Sequence, residues 1–317
     1  MSELIQTADK VLNQSVEQFP LPIDDLVSEL LQAKSYPEVC YYMGKLMGAK
    51  HFINIDQLPS DTIEALRQSM LPLWKESHLW QWALEKPYGY AGDFVALELL
   101  YDNQAHATSS PVGKLLDRWL LDSQLGFGVR ERKNILSAFI QKFTLARFQA
   151  LSQKTKVLSV AAGSARELRD LSESTLNTTE ITLVDLDERS LEYAASHLPE
   201  GVRTLRANAL RLKPSTLGET YSLIYSFGFF DYLKDAVIIR CLKLFQENLE
   251  PGGSIVFPLK IDSKFRHWFY DLVLDWRFVK REINDGFALA NAAGLEVVEL
   301  IETENESVVF FHCVALK

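Results

Sequence analysis

Lys156-Val157-Leu158-Ser159-Val160-Ala161-Ala162-Gly163-Ser164-Ala165-Arg166-Glu167 is the stretch at which the chain changes its grammar. A short apolar run breaks at one glycine set among small residues and then takes up a helical pattern to about residue 171. That is the pattern of a buried strand, a tight turn and a helix. Working outward, Ile181-Thr182-Leu183-Val184 is a second run; it ends at Asp185 and is followed by a helical pattern over 188–197. A shorter strand is expected around 203–205, then Tyr221-Ser222-Leu223-Ile224-Tyr225, then an amphipathic helix over 236–248. Pro251-Gly252-Gly253 is expected as a turn that launches Ser254-Ile255-Val256-Phe257. Strands that alternate with helices form a parallel sheet covered on both faces. The last two runs, 295–300 and 308–314, are separated only by residues 302–307. No crossover helix fits in that gap, so the pair is expected to be an antiparallel hairpin.

Upstream of Lys156 the pattern is helical. Ser28-Glu29-Leu30-Leu31 and Thr62-Ile63-Glu64-Ala65-Leu66 carry apolar positions three and four apart, and Pro20, Pro22, Pro37, Pro59 and Pro87 are expected to precede helix starts. Two domains are therefore expected: an all-helical one over 1–150, acting as a lid and substrate domain, and an α/β one over 151–317. The 317 residues are 47% hydrophobic with a formal charge of -9, ample for two cores. The acidic balance, with no basic block, argues against a nucleic-acid partner, and no apolar run approaches the roughly 20 residues of a membrane span. Cys40, Cys241 and Cys313 form no close pair and read as free thiols in a reducing compartment. With no secretory pattern in Met1-Ser2-Glu3-Leu4, the expected location is the cytoplasm. A small-molecule substrate is expected, and a homo-oligomer is left open.

Ligands of open α/β sheets sit at the carboxyl ends of the strands. The loop after the first strand lacks the glycine set that cradles a pyrophosphate, yet Ala161, Gly163 and Ala165 are small enough for close backbone approach, with Glu167 just inside the helix. A nucleoside without phosphates suits such a loop. Asp185, about twenty residues on, stands where an acid accepts hydrogen bonds from ribose hydroxyls. Leu186 beside it offers an apolar surface for a base, while Asp187 reads as a helix-start acid. Asn208 and Ala209 follow the third strand, and Ser226 and Phe227 the fourth. No His/Cys spacing suggests a metal site, and Ser164 lacks the G-x-S-x-G elbow of a hydrolase.

Six further blocks carry a family resemblance: Lys86-Pro87-Tyr88-Gly89-Tyr90-Ala91-Gly92-Asp93, Val129-Arg130-Glu131-Arg132, Gly163-Ser164-Ala165-Arg166-Glu167, Val184-Asp185-Leu186-Asp187, Phe230-Asp231-Tyr232-Leu233, and Asp275-Trp276 with Arg281. From about Lys86 onward the chain resembles the bacterial class I methyltransferase-like proteins of 3-hydroxypalmitate methyl ester biosynthesis. The resemblance implies a Rossmann-like class I methyltransferase sheet of seven strands with a C-terminal antiparallel hairpin, and S-adenosylmethionine as the cofactor. The chain departs from the family pattern in the first loop, where Ala161-Ala162-Gly163-Ser164 replaces Gly-Cys-Gly-Pro.

Methyl transfer from a sulfonium depends on in-line approach and desolvation. A carboxylate acceptor is already ionised near pH 7, so no general base is needed. The expected function is methyl transfer to a small, apolar carboxylic acid or a related metabolite. Arg130, Arg132, Arg277, Arg281 and His267 are the cationic candidates for holding a carboxylate, whether the acceptor's or the cofactor's. Tyr88, Tyr90 and Asp93 are candidates for the reacting end, the tyrosines as faces for a cation; Asp93 also suits the cap of a helix starting at Phe94. His267 lies in an aromatic stretch expected to border the acceptor pocket. Two alternatives stand beside this reading: a cyclase that turns the cofactor's amine onto its own γ-carbon, giving azetidine-2-carboxylate and methylthioadenosine, and a non-catalytic protein that binds the cofactor.

Overall fold

The computed structural model describes residues 23–47, 59–107, 110–264 and 267–316. Pro20, Pro22 and the first four residues lie outside them. The chain packs as two compact units, Met1–Phe127 with Arg266–Arg277, and Gly128–Phe265 with Phe278–Lys317.

The second unit holds a seven-stranded sheet: β1 Thr155–Val160, β2 Thr179–Asp185, β3 Arg203–Arg206, β4 Tyr221–Ser226, β5 Leu249–Lys260, β6 Leu295–Glu302 and β7 Val308–Ala315. Their order is β3-β2-β1-β4-β5-β7-β6. The first five strands run parallel, and β7 lies antiparallel between β5 and β6. This is a Rossmann-like methyltransferase sheet with the expected terminal hairpin. Successive residues of β1 feed opposite faces. Leu158 and Val160 pack with Phe245, Phe257 and Phe311, while Val157 packs with Leu136, Leu183, Tyr225 and Phe310. Burial on both faces is why β1 and β4 read as unbroken apolar runs. On one face the helix Ile283–Ala292 comes close through Gly286, where a Cβ would stand 2.0 Å from the Phe311 ring.

One expectation needs correction. Pro251-Gly252-Gly253 is not a turn ahead of a strand but an irregularity within β5, which begins at Leu249 and continues past Phe257 to Lys260. The register jumps there, with Tyr221 opposite Leu249 and Leu223 opposite Ser254. Gly252 takes φ +72°, and this left-handed residue accommodates the extra length.

The first unit is helical among its described residues. Its helices include Ile23–Gln32, Tyr36–Met47, Ser60–Glu76, His78–Glu85, Phe94–Asp102 and Pro111–Asp122. Pro59 does precede a helix, whereas Pro37 lies one residue inside one and Pro87 opens a turn rather than a helix. Asp117 is the polar hub of this unit. It is fully buried and accepts from Ser77 Oγ (2.6 Å) and from the backbone N–H of Leu79 (3.1 Å), His106 (2.8 Å) and Ala107 (2.7 Å). The aromatic stretch after β5 completes the unit's core: Phe269 stands edge-on to both Trp80 and Trp119. Arg67 fastens this segment, donating to the carbonyls of Leu272 (3.0 Å) and Asp271 (3.1 Å) and pairing with Asp275 at 2.6 Å. Lys86 pairs with the other Asp275 oxygen. Burial pushes that carboxyl up, but the Lys86 and Arg67 charges prevail and hold it below its ordinary value.

Candidate active site

The loop after β1 turns sharply because three of its five residues are left-handed: Ala161 (φ +55°), Gly163 (φ +54°) and Ala165 (φ +49°). For alanine this conformation costs roughly 1–2 kcal/mol. Ala161 thus adopts, under strain, a backbone that glycine reaches freely. The turn is held from the second strand. The Ala162 N–H donates to the Val184 carbonyl at 3.0 Å, and the Gly163 N–H to Asp185 Oδ2 at 2.8 Å. Asp185 Oδ1 accepts from the Asp187 N–H at 2.9 Å. Each carboxylate oxygen can accept twice, so Asp185 is oriented by the backbone and retains capacity toward a ligand.

Around this pair the other candidates take distinct places. Leu186 is 60% exposed, an unusual setting for a leucine at the end of a buried strand. Asn208 caps a short turn, accepting from the Leu210 N–H at 2.9 Å, and Ala209 begins that turn. Asp187 is a helix cap, paired with Arg189, which lowers its carboxyl. Glu167 faces inward: it is 1% exposed and accepts from Tyr225 Oη at 2.6 Å, so it ties the helix after the loop to β4. Burial and the neighbouring Glu167 push the Tyr225 hydroxyl well above its ordinary range. Ser226 is likewise buried and donates to the Val160 carbonyl at 2.9 Å, pinning β4 to β1. Phe227 is half-buried at the carboxyl end of β4, under the Arg132 guanidinium at 4.9 Å. Arg130 is half-buried on the helix Gln124–Leu151.

The candidates from the helical unit have a different setting. Asp93 is buried and caps Phe94–Asp102, accepting from the Ala96 N–H at 2.8 Å, and the Trp82 indole donates to its carboxylate at 3.2 Å. Tyr88 stacks on Trp82 and meets Phe94 edge-on, while Tyr90 is 47% exposed. The His267 side chain lies outside the described residues, and Tyr270 of the same stretch is core, accepting from the Leu125 N–H at 3.3 Å.

One group was not anticipated. Lys260, the last residue of β5, is 2% exposed, beside Asp231 and Arg132, both also buried. Burial and the Arg132 charge lower its ammonium to about 7, against the opposing pull of Asp231. It escaped notice because β5 was expected to end at Phe257. Among the described residues no cluster of three histidine, cysteine or acidic side chains is placed to hold a metal ion.

A family model described as "Putative methyltransferase" matches residues 88–257, more than half of the chain. The chain belongs to this methyltransferase family. No curated protein matches the methyltransferase in sequence. Among solved structures, a possible exported protein from Bordetella parapertussis shares its fold at 16% identity, covering 93% of this chain and 96% of that one with a TM-score of 0.65. The CcbJ methyltransferase from Streptomyces caelestis aligns at 18% identity over 59% of this chain and 90% of its own, TM-score 0.45. The magnesium protoporphyrin IX methyltransferase from Synechocystis PCC 6803, with bound S-adenosylmethionine, aligns at 10% identity over 63% and 90%, TM-score 0.44.

Proposed function

We propose that this methyltransferase uses S-adenosylmethionine to methylate a small, apolar carboxylic acid. The observation that carries the cofactor is the junction of two strand ends. A left-handed turn after β1 is tied by its Gly163 N–H to the Asp185 carboxylate at the end of β2. The residues fit the group. Asp185 can take the ribose hydroxyls, the exposed Leu186 offers an apolar face for the adenine, and Asn208 and Ala209 suit its edge. Ala161, Gly163 and Ala165 present backbone at close range, with none of the phosphate cradle a dinucleotide needs. Bound there, S-adenosylmethionine supplies an electrophilic methyl group on a sulfonium. The chain's own work is to orient the acceptor, exclude water and hold a negative charge, for which no general base is required. The resemblance to methyl ester biosynthesis favours a carboxylic acid over an amine or hydroxyl, and such an acceptor is already ionised near pH 7. The proposed compartment is the cytoplasm, in keeping with three free cysteines; no described helix is long and apolar enough to cross a membrane.

The test is product analysis. Purified protein with S-adenosylmethionine and a panel of short- and medium-chain acids is expected to form S-adenosylhomocysteine and a methyl ester. Methylthioadenosine formed with no acid present would overturn the methyl-transfer reading. Binding without product across the panel would overturn the choice of acceptor.

A further inference from the structure

The carboxyl ends of β4 and β5 carry a buried charge cluster that cofactor binding does not explain. Arg132 reaches it from the helix Gln124–Leu151, Asp231 from the turn Phe230–Tyr232, and Lys260 from the end of β5. All three are at most 5% exposed. Asp231 spends one oxygen on the Arg132 guanidinium at 3.3 Å and the other on the backbone N–H of Lys260 at 3.2 Å. Two basic groups thus adjoin one carboxylate among the described residues. Among the described residues the Arg132 Nε is buried with no hydrogen-bond partner. Leaving such a donor unsatisfied costs about 1–3 kcal/mol, and an apolar residue in place of a buried charge is often more stable. A fold that keeps both bases has a use for them.

The surroundings narrow that use. Phe227 lies under the guanidinium at 4.9 Å, and the Lys260 ammonium stands 4.8 Å over the Phe278 ring. Tyr232, 41% exposed, stacks on the outer side of Phe278 with centroids 5.6 Å apart. Gly228 (φ +87°) passes so close that a Cβ there would lie 3.1 Å from the guanidinium. We propose that Arg132 and Lys260 form the seat for the carboxylate of the second substrate, with Phe227, Tyr232 and Phe278 flanking its apolar body. With Lys260 protonated, Arg132, Lys260 and Asp231 together carry one net positive charge, which a single carboxylate neutralises and a phosphate dianion would exceed. The seat lies at the ends of β4 and β5, whereas the Asp185–Gly163 junction lies at the ends of β1 and β2. This inference rests on the proposed function in that it assigns the acceptor's place.

Because the Lys260 ammonium is lowered to about 7 by burial and by Arg132, an arriving anion must return its proton. Among the described residues the charged groups against Lys260 are Arg132 and Asp231, and the Phe278 ring lies beside it. Calorimetry with hexanoate as the probe, at about pH 8 in buffers of different ionisation heat, with and without S-adenosylhomocysteine, reads this directly. The expected result is uptake of about one proton per hexanoate bound, no comparable binding of 1-hexanol, and at least about a tenfold loss of hexanoate affinity with no proton uptake in Lys260→Met. Arg132→Lys, which keeps the charge but loses the planar fork, is expected to weaken hexanoate while preserving proton uptake. Hexanoate binding without proton uptake, or unchanged in Lys260→Met, would overturn the seat. So would a loss of S-adenosylhomocysteine affinity in Lys260→Met, which would assign the cluster to the cofactor's own carboxylate. Failure of S-adenosylhomocysteine to bind the wild type would instead overturn the cofactor reading and leave proton-linked hexanoate binding intact.

Discussion

The acids of the two units are employed differently. In the helical unit three of them are taken up by the chain itself. Asp117 accepts four hydrogen bonds, Asp93 takes an indole and a backbone N–H, and Asp275 is shared between Arg67 and Lys86. At the strand ends they are positioned but not exhausted. Asp185 accepts one backbone N–H on each oxygen and keeps a further lone pair on each. A saturated acid builds structure, and an oriented acid with spare capacity awaits a ligand. That distinction, more than residue type, separates scaffold from site in this chain.

Substitutions at four positions would break or sharpen it. Asp185→Ala should have the largest effect, removing two charge-assisted bonds to a ribose as well as the anchor of Gly163. S-adenosylhomocysteine affinity by calorimetry should fall on the order of 100-fold or more, and an unchanged affinity would erase the contrast. Asp93→Ala should strike folding, costing about 3 kcal/mol in a denaturant titration as the cap is lost and the Trp82 indole is orphaned. Asp93→Asn, which still caps, should recover most of that.

Lys260→Met comes next. The folded Lys260 is depressed from 10.5 to about 7, so the unfolded chain holds the extra proton between those values, and native stability should rise with pH across that window. Relative to Lys260→Met, the wild type should gain about 2 kcal/mol between about pH 7 and pH 9. Parallel stability curves would show that Lys260 is not buried as an amine. The smallest effect is expected from Ala161→Gly, which should stabilise the protein by about 1 kcal/mol by relieving the left-handed alanine. A destabilised variant would mean that the alanine methyl is worth more than its strain.

The sheet was legible because burial on both faces leaves unbroken apolar runs, and because the five residues between the last two strands cannot hold a crossover. Its errors were local. Pro251-Gly252-Gly253 carries the composition of a turn, and only the register shift against β4 shows that the strand absorbs it. That misplaced boundary hid Lys260. The first loop looked short of glycine, yet Ala161 and Ala165 adopt glycine's conformation, because the Asp185 anchor and the flanking strands determine the backbone there. Phe269, in the aromatic stretch after β5, packs against Trp80 and Trp119, a long-range pairing that no local pattern encodes. Asp93 was legible as a cap, since an acid before an apolar helix is a local signal.

The helical unit closes with a segment that arrives late. Arg67 meets Leu272 across 205 positions of sequence, and Phe269 packs edge-on against a pair of tryptophans made far earlier. On the ribosome the first helices therefore emerge without the piece that seals them, and they wait for the sheet strands through β5 to be synthesised. During that interval Trp80 and Trp119 have each other but lack Phe269. Such an early-emerging, late-finishing region is a natural client for a chaperone. Its assembly is set by the clock of translation as much as by its own contacts.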